Sequence, residues 1–433
     1  MTKTDLWARH RRVMPSWLAL YYDEPIEITR GEGRHVWDGQ GRRYLDFFGG
    51  ILTNAIGYDV AEISDAVRAQ VDTGVLHTST LYLIRRQVEL AEKVAALSGI
   101  EDAKVFFTNS GTEANETALM LATQYRRSHQ VLALRNSYHG RAFATVGVTG
   151  NRGWSASALS PVQVSYVHGG YPYRSPFRHL SDSDYIAACV DDLREVIETT
   201  TAGDVACLLA EPIQGVGGFT SGPDGLFAAF KEVLDEYGIL LISDEVQTGW
   251  GRTGEHFWGI EAHEVTPDAM TFAKGMGNGL AIGGVVARGD LMDCLQANSI
   301  STFGGNPVAT AGARAALDYL LSHELQANAA HLGGLLLSGL REVAEHCPVV
   351  GEVRGKGLMI GVELVHPDRS PDATAAGRVL AEAGSRGLLI GKGGLYGNVL
   401  RLAPPMTLTT DEAEEALNVL TEAITIAGKE QTR

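Results

Sequence analysis

The chain has 433 residues, of which 45% are hydrophobic and 20% are charged. This composition is that of a globular protein, and the length predicts two domains rather than one. Counting Lys and Arg against Asp and Glu, the net charge is 36 − 52 = −16, which argues against a nucleic-acid or anionic-membrane partner.

Cysteine and histidine usage favours the cytoplasm and argues against a metal. The four cysteines are scattered without disulfide or metal-ligand spacing, and the 13 histidines form no close pair. The N-terminus lacks the apolar core of a signal peptide, and no run approaches the roughly 20 apolar residues of a membrane span. We therefore expect a cytoplasmic protein with no metal site.

Residues 1–55 predict a small, strand-rich segment. Glu27–Tyr44 contains two glycine-centred turns between short strand-like pieces. The aromatic-rich segment Asp46–Ile51 then leads into a different region, so we place a domain crossover near residue 55.

Residues 56–307 alternate between helical and strand patterns, which predicts an α/β domain. The predicted strand Lys104–Phe107 runs into the small polar residues Ser110, Gly111 and Thr112, and an amphipathic helix follows. A strand, a small-residue loop and a helix start can present backbone N–H groups to a phosphate. The same residues could equally be an ordinary helix cap.

Two more predicted strands of this domain lead to functional side chains. Val131–Leu134 is followed by Tyr138 and Arg141, and Ala206–Ala210 by Glu211. An aromatic ring at a strand end can stack on a flat cofactor, although a packed surface tyrosine would have the same sequence pattern. Residues 150–180 are rich in Gly, Ser, Tyr and Pro and predict a long irregular excursion.

The segment 240–279 is the most informative. The apolar run Ile239–Ile242 ends at Asp244, and the run Ala269–Ala273 ends at Lys274. Ligands of open α/β sheets lie at the carboxyl ends of the strands. An acid and an amine there indicate pyridoxal phosphate (PLP), whose lysine and pyridinium partner form such a pair; the alternative is two unrelated polar strand ends.

Residues 308–433 have a different pattern, with long helical stretches at 308–325 and 327–346 and further strands and helices behind them. This pattern predicts a smaller α+β domain, to which residues 1–55 would also contribute. A glycine-rich stretch at 351–357 has the wrong spacing for a P-loop.

Together these segments resemble a known family. The motifs NSGTEANE, YHGR, EPIQG, DEVQTGWGRTG, FAKG, TFGGNP and LRLAPPMTLT are similar to those of the class III (omega-amino acid) aminotransferases, a PLP-dependent family of fold type I. Within the family, LHTST, EPIQGVGG and VRGKGLMIGVE are most similar to the alanine–glyoxylate aminotransferase 2 group and its phospholyase relatives. The resemblance implies a large domain with a mostly parallel central sheet, a smaller α+β domain, and PLP as cofactor.

The resemblance also implies roles for residues around the cofactor ring. Lys274 would bind the aldehyde and later move the proton of the substrate, and Asp244 would pair with the pyridine nitrogen. Gln247 would reach the ring hydroxyl, Glu211 would lie close behind it, and Tyr138 would stack on the ring.

At the phosphate, the resemblance assigns Gly111 and Thr112, together with Ser110. Thr302 would reach the phosphate of the neighbouring subunit, which implies a homodimer, alone or within a dimer of dimers.

The substrate side is less determined. Arg401 would bind the substrate carboxylate, and Arg141 would bind a second carboxylate or be purely structural. Ornithine and 4-aminobutyrate members carry a glutamate that pairs with the arginine equivalent to Arg401, and Val216 stands in its place here. We expect an aminotransferase acting on a small amino acid (alanine, β-alanine or another ω-amino acid) and on pyruvate or glyoxylate. The alternatives are a phospholyase for an amino-alcohol phosphate and a 4-aminobutyrate-type enzyme using 2-oxoglutarate.

Overall fold

A computed structural model describes residues 3–157 and 159–431. The strands are β1 (Ile28–Glu32), β2 (His35–Asp38), β3 (Arg43–Asp46), β4 (Ala103–Thr108), β5 (Gln130–Leu134), β6 (Gln163–Val167), β7 (Cys207–Ala210), β8 (Leu240–Asp244), β9 (Ala269–Phe272), β10 (Gly283–Arg288), β11 (Val350–Lys356), β12 (Met359–Leu364), β13 (Leu388–Leu389), β14 (Gly391–Gly393) and β15 (Val399–Leu402).

The helices are α1 (Lys3–Val13), α2 (Ala61–Asp72), α3 (Arg85–Leu97), α4 (Gly111–Arg126), α5 (Phe143–Gly147), α6 (Asp182–Thr200), α7 (Leu226–Glu236), α8 (Gly289–Met292), α9 (Pro307–Ser322), α10 (Leu325–His346), α11 (Ala373–Ser385) and α12 (Thr410–Gln431). Within the described residues, none of these helices is long and apolar enough to cross a membrane.

The central sheet has seven strands in the order β4-β10-β9-β8-β7-β5-β6. Only β10 runs against the others, because it pairs antiparallel with both β4 and β9. Alternate residues of β5 enter different hydrophobic clusters, Val131 and Ala133 on one face and Leu132 and Leu134 on the other. Both faces of the sheet are therefore covered, which explains the continuous apolar runs in the sequence.

A four-stranded antiparallel sheet, β11-β12-β15-β14, forms the core of the smaller α+β region. The N-terminal strands form another sheet, in which β3 pairs in parallel with β13 of the C-terminal region. The N-terminal segment thus lies against the C-terminal one, although the division at residues 55 and 307 stays a prediction.

The structure corrects the irregular excursion predicted for residues 150–180. Gln163–Val167 forms β6, an edge strand parallel to β5. Val164 and Tyr166 pack against the hydrophobic cluster behind β5. The alternation of these apolar residues with others is too short to indicate a strand among the Gly, Ser and Pro residues on either side. Helix α1 was also not predicted from the sequence.

The carboxyl ends of β4, β5, β7, β8 and β9 meet at one edge of the sheet, because these strands run in the same direction. Strand β10 runs the other way, so it begins at that edge. The five strand ends of this domain that the sequence singled out therefore lie at one edge of the sheet.

Candidate active site

A cavity of about 430 Å³ lies at this edge, between the central sheet, the small domain and the N-terminal segment. Nine of the eleven residues predicted for the site line it: Ser110, Gly111, Thr112, Tyr138, Glu211, Asp244, Gln247, Lys274 and Arg401. Arg141 and Thr302 are not among the residues lining it, and both are exposed.

Asp244 is held at the floor of the cavity by three donors. Asn115 Nδ2 lies 2.7 Å and His139 Nδ1 2.8 Å from Asp244 Oδ2, and Val246 N donates to Oδ1 at 3.1 Å. Asn115 is held in turn, because the Thr271 hydroxyl donates to its Oδ1 at 2.6 Å. The carboxylate therefore has one orientation, with His139 Nδ1 carrying the proton that points to it.

Glu211 lies beside this group and is also fully engaged. Its two oxygens accept the backbone N–H groups of Tyr138, at 2.8 Å, and of Gly215, at 2.7 Å. The pKa of Glu211 is raised to about 7, mainly by burial and also by the charge of Asp244, against the opposing effects of His139 and of the two backbone N–H groups. Near neutral pH this carboxyl is thus partly protonated, unlike an exposed glutamate.

Lys274 follows β9 and has a backbone φ of +45°, a conformation rare for a residue with a side chain. Burial lowers the pKa of its amine to about 8, although Asp244 and Glu211 oppose this shift. A lowered pKa makes the unprotonated, nucleophilic form of the amine accessible near neutral pH.

The start of α4 also lines the cavity. Ser110 is the N-cap, and its hydroxyl accepts the N–H of Glu113 at 3.2 Å. A Cβ at position 111 would come within 2.9 Å of both methyl groups of Val246, so only glycine fits there without a shift. The capping interpretation of Ser110 therefore holds, and the same helix end faces the cavity.

Arg401 enters the cavity from β15 and is 2% exposed. Its Nη1 donates to Gly215 O at 3.1 Å and its Nη2 to Lys392 O at 3.3 Å, with the Tyr21 hydroxyl 3.4 Å away. Its guanidinium carbon lies 4.8 Å from the ring centre of Phe48.

No carboxylate of a described residue forms an ion pair with Arg401, and its Nε has no hydrogen-bond partner. Burial lowers the pKa of this guanidinium, so the folded chain holds a cation without a counter-charge.

Sequence reasoning missed Asn115 and His139. Both lie inside motifs that the resemblance had singled out, Asn115 one helical turn after Gly111 and His139 directly after Tyr138. The helical spacing of Asn115 was an available signal, since positions four apart share one helix face. The contact of His139 with Asp244 joins residues 105 positions apart, and no local pattern indicated it.

The cavity fits PLP. Gln247 Oε1 is buried and has no hydrogen-bond partner among the described residues, so it can accept a hydrogen bond from a ring hydroxyl. A buried amine, an oriented carboxylate and a helix N-terminus surround the same space, and they match the aldehyde, pyridine nitrogen and phosphate of that cofactor. The described side chains contain no cluster of three or more potential metal ligands.

Comparisons with known proteins agree with this fit. A sequence model of the family "Aminotransferase class-III" matches residues 20–424. The chain is 39% identical over 409 residues to alanine–glyoxylate aminotransferase 2 homolog 2, mitochondrial, of Arabidopsis thaliana, covering 94% of this chain and 84% of the relative. It is 34% identical to an alanine/serine racemase of Pyrococcus horikoshii, covering 94% and 87%.

Among solved structures, a phospholyase from Arthrobacter in complex with phosphoethanolamine superposes with a TM-score of 0.89 and 31% identity, covering 97% of this chain and 99% of that one. Relatives with three different reactions thus share this fold. The family match over nearly the whole length, together with the site, shows that the chain belongs to the class III aminotransferases, which are PLP-dependent enzymes.

Proposed function

We propose that this enzyme moves the amino group of a small amino acid, such as alanine, β-alanine or another ω-amino acid, to pyruvate or glyoxylate. The observation that carries the proposal is Arg401, a buried cation in the cavity without a carboxylate partner among the described residues. A substrate carboxylate would supply the missing counter-charge through a bidentate contact.

PLP, when bound, supplies an electron sink for the bonds at the substrate Cα and carries the amino group between the two half-reactions. Asp244, oriented by Asn115 and His139, would keep the pyridine nitrogen protonated. Lys274 Nζ would bind the aldehyde carbon until the substrate amine takes its place there. The freed Lys274 amine would then accept the proton from the substrate Cα, and its lowered pKa suits that task.

Other residues would hold the cofactor in place. Ser110, Gly111 and Thr112 would bind the phosphate at the start of α4, and Tyr138 would cover the ring. Gln247 Oε1 would accept a hydrogen bond from the ring hydroxyl, and Glu211 would lie behind it as a partly protonated neighbour.

The choice of small substrates follows from Val216, which lines the cavity. An arginine without a glutamate to pair with favours a carboxylate in both half-reactions. Donor and acceptor would then each place one carboxylate close to the reacting carbon, as alanine and pyruvate or glyoxylate do. The relative from Arabidopsis thaliana, by its name, uses the same kind of pair.

We also propose a cytoplasmic homodimer, alone or within a dimer of dimers. Thr302 is exposed and does not line its own chain's cavity, which fits a residue that serves the neighbouring subunit. Phe303 beside it is 59% exposed, and such a large exposed apolar side chain suits an interface. The four cysteines are free, as expected in a reducing compartment.

A panel of donors against acceptors, with phosphate release measured in parallel, tests the proposal. We expect alanine or β-alanine with pyruvate or glyoxylate to give the highest kcat/KM. Phosphate released from phosphoethanolamine without any oxo-acid acceptor would make the enzyme a phospholyase. Loss of chirality of a single amino acid without an acceptor would make it a racemase, and a preference for 2-oxoglutarate would favour the 4-aminobutyrate-type alternative.

A further inference from the structure

A second buried arginine, Arg354, lies on the same sheet as Arg401. In the register of the small sheet, Arg354 on β11 and Arg401 on β15 are both paired with Gly361 on β12, one on each side. Residues directly opposite each other across neighbouring strands point to the same face of a sheet. The two arginines therefore flank Gly361 on one face.

The Gly215–Gly218 turn packs on that face. A Cβ at Gly361 would come within 2.5 Å of Gly218 O, so the turn lies directly on the backbone of β12. Each arginine donates to one carbonyl of the turn. Arg354 Nε and Nη2 reach Gly218 O at 3.1 and 2.9 Å, and Arg401 Nη1 reaches Gly215 O at 3.1 Å.

The turn also contacts the cofactor side of the cavity. Gly215 N donates to Glu211, and a Cβ at Gly215 would come within 2.2 Å of the Gln247 amide. Gly218 N donates to Gly215 O at 3.2 Å, the same oxygen that accepts from Arg401. A shift of the turn would therefore move the acceptor that holds the Arg401 guanidinium.

Arg354 is itself held by a buried carboxylate. Glu363 on β12 has a fully buried side chain, and its Oε2 accepts from Arg354 Nη1 at 2.8 Å and from the Tyr171 hydroxyl at 2.6 Å. Arg174 Nε donates to the other oxygen at 2.5 Å. Tyr171 and Arg174 precede α6 in the large domain, so the carboxylate joins the two domains at this point.

We propose that Arg354, held by Glu363, is a positioning residue that fixes the Gly215–Gly218 turn and thereby places Arg401 for the substrate carboxylate. This inference rests on the proposed role of Arg401. It predicts that loss of Arg354 weakens the binding of carboxylates specifically, whereas a purely structural ion pair would affect stability and cofactor content.

The test compares four variants of the PLP-loaded enzyme: Arg354→Met, Arg354→Lys, Arg174→Met and Arg401→Ala. Arg174→Met is the matched control, because Arg174 also binds Glu363 but makes no hydrogen bond to the turn. Arg354→Lys keeps the charge beside Glu363 but lacks the planar guanidinium that reaches Gly218 O. It takes the place of Arg354→Met in all measurements if that variant does not fold. The readouts are the Kd of propionate, measured by equilibrium titration, the KM and kcat of the best carboxylate donor, the PLP content and the Tm.

For both Arg354 variants we expect the Kd of propionate and the KM to rise roughly tenfold or more, since small displacements of a binding group are costly. We expect kcat to change by only about two- to threefold. A shifted turn also moves Gly215 N, which donates to Glu211, but neither Arg354 variant removes a contact of Lys274 or Asp244. Arg174→Met should leave the Kd of propionate unchanged.

Two outcomes would overturn the inference. If the Arg354 variants and Arg174→Met lower Tm and PLP content alike, with no change in the Kd of propionate, the cluster is only structural. If Arg401→Ala leaves the Kd of propionate unchanged, the proposed carboxylate site is wrong and the positioning role falls with it.

Discussion

The charged groups of the cavity fall into two sets that are built in different ways. We call Asp244, Glu211 and Lys274, which belong to the large domain, the floor of the cavity, and Arg401 with its neighbours the wall. On the floor, Asp244 and Glu211 each accept at least two hydrogen bonds from their own domain. On the wall, the hydrogen bonds and ring contacts of Arg401 with the described residues are to carbonyl oxygens, a tyrosine hydroxyl and aromatic rings, from segments far apart in the chain. The floor is complete without a substrate, whereas the wall holds a charge that a ligand can neutralise.

This difference separates chemistry from specificity. Groups that are fully paired in one domain keep their positions whichever substrate is bound. An unpaired cation favours any ligand that brings a carboxylate, so its surroundings decide which substrates are accepted. Changes on the floor should therefore reduce all reactions, and changes on the wall should discriminate between substrates.

Replacing Lys274 should have the largest effect. Lys274→Ala removes the amine that we propose binds the aldehyde and moves the substrate proton, so we expect turnover to be undetectable with every donor. In the wild-type protein, borohydride reduction followed by peptide mapping should place the cofactor on Lys274. A label on any other lysine would show that the site is assigned wrongly.

The two floor carboxyls allow a matched comparison. Asp244→Asn removes the charge that we propose pairs with the pyridine nitrogen, and we expect kcat to fall by about three orders of magnitude. Glu211→Gln leaves one backbone N–H without an acceptor but keeps the charge of Asp244, so a loss of about tenfold is expected. The kcat of both variants is measured by steady-state kinetics with one donor–acceptor pair. Near-normal activity of Asp244→Asn would refute the proposed role of Asp244.

Arg401 and Arg141 are the two arginines that the sequence proposed for binding substrate carboxylates, and replacing each of them tests that role. Arg401→Ala should lower kcat/KM roughly a hundredfold in both half-reactions, from about 3 kcal/mol of lost charged hydrogen bonds. Arg141 is exposed, and its guanidinium carbon lies 5.5 Å from the ring centre of Trp17, so Arg141→Ala should have little effect on pyruvate or glyoxylate. If 2-oxoglutarate is the better acceptor and Arg141→Ala abolishes that preference, the second arginine determines specificity.

Thr302 tests whether the floor needs the neighbouring subunit. A heterodimer with Lys274→Ala on one chain and Thr302→Ala on the other should retain about half the wild-type activity, since each site has equal weight in a symmetric dimer. Both lesions then fall in one site, and the other site is intact. If Thr302 served its own chain, the activity would equal half that of the Thr302→Ala homodimer instead.

The smallest expected effect concerns pH. Because the pKa of Lys274 is lowered to about 8 from its ordinary 10.5, uptake of PLP by the apoenzyme should accelerate up to pH 8 and then level off. The folded-state pKa lies below the unfolded one, so the apoenzyme should also gain stability as the pH rises from about 8 to 10.5. Glu211→Gln removes a charge that raises this pKa, and the midpoint of uptake should move to lower pH. A midpoint near 10.5 would contradict the burial of the amine.

The sequence by itself was sufficient for the floor. Buried parallel strands appear in the sequence as apolar runs, and their carboxyl ends must meet at one edge of the sheet. The sequence alone therefore predicts that Asp244, Lys274 and Glu211 lie close together. The motifs then identified the family and its cofactor. The predicted strands Val131–Leu134 and Ala206–Ala210 were also found, as β5 and β7, each within one residue of its predicted start, because buried apolar runs with polar ends have clear limits.

Only the tertiary structure showed which residues surround Arg401 in the wall and which residues hold Asp244 in the floor. The contacts of Arg401 with Gly215 and Tyr21, and of His139 with Asp244, join positions more than 100 residues apart. Periodicity reports which face of an element is buried, but not which distant element covers it. The neighbours of Arg401 therefore depend on how the two domains pack, and that packing is set by the summed burial of both cores rather than by any local motif.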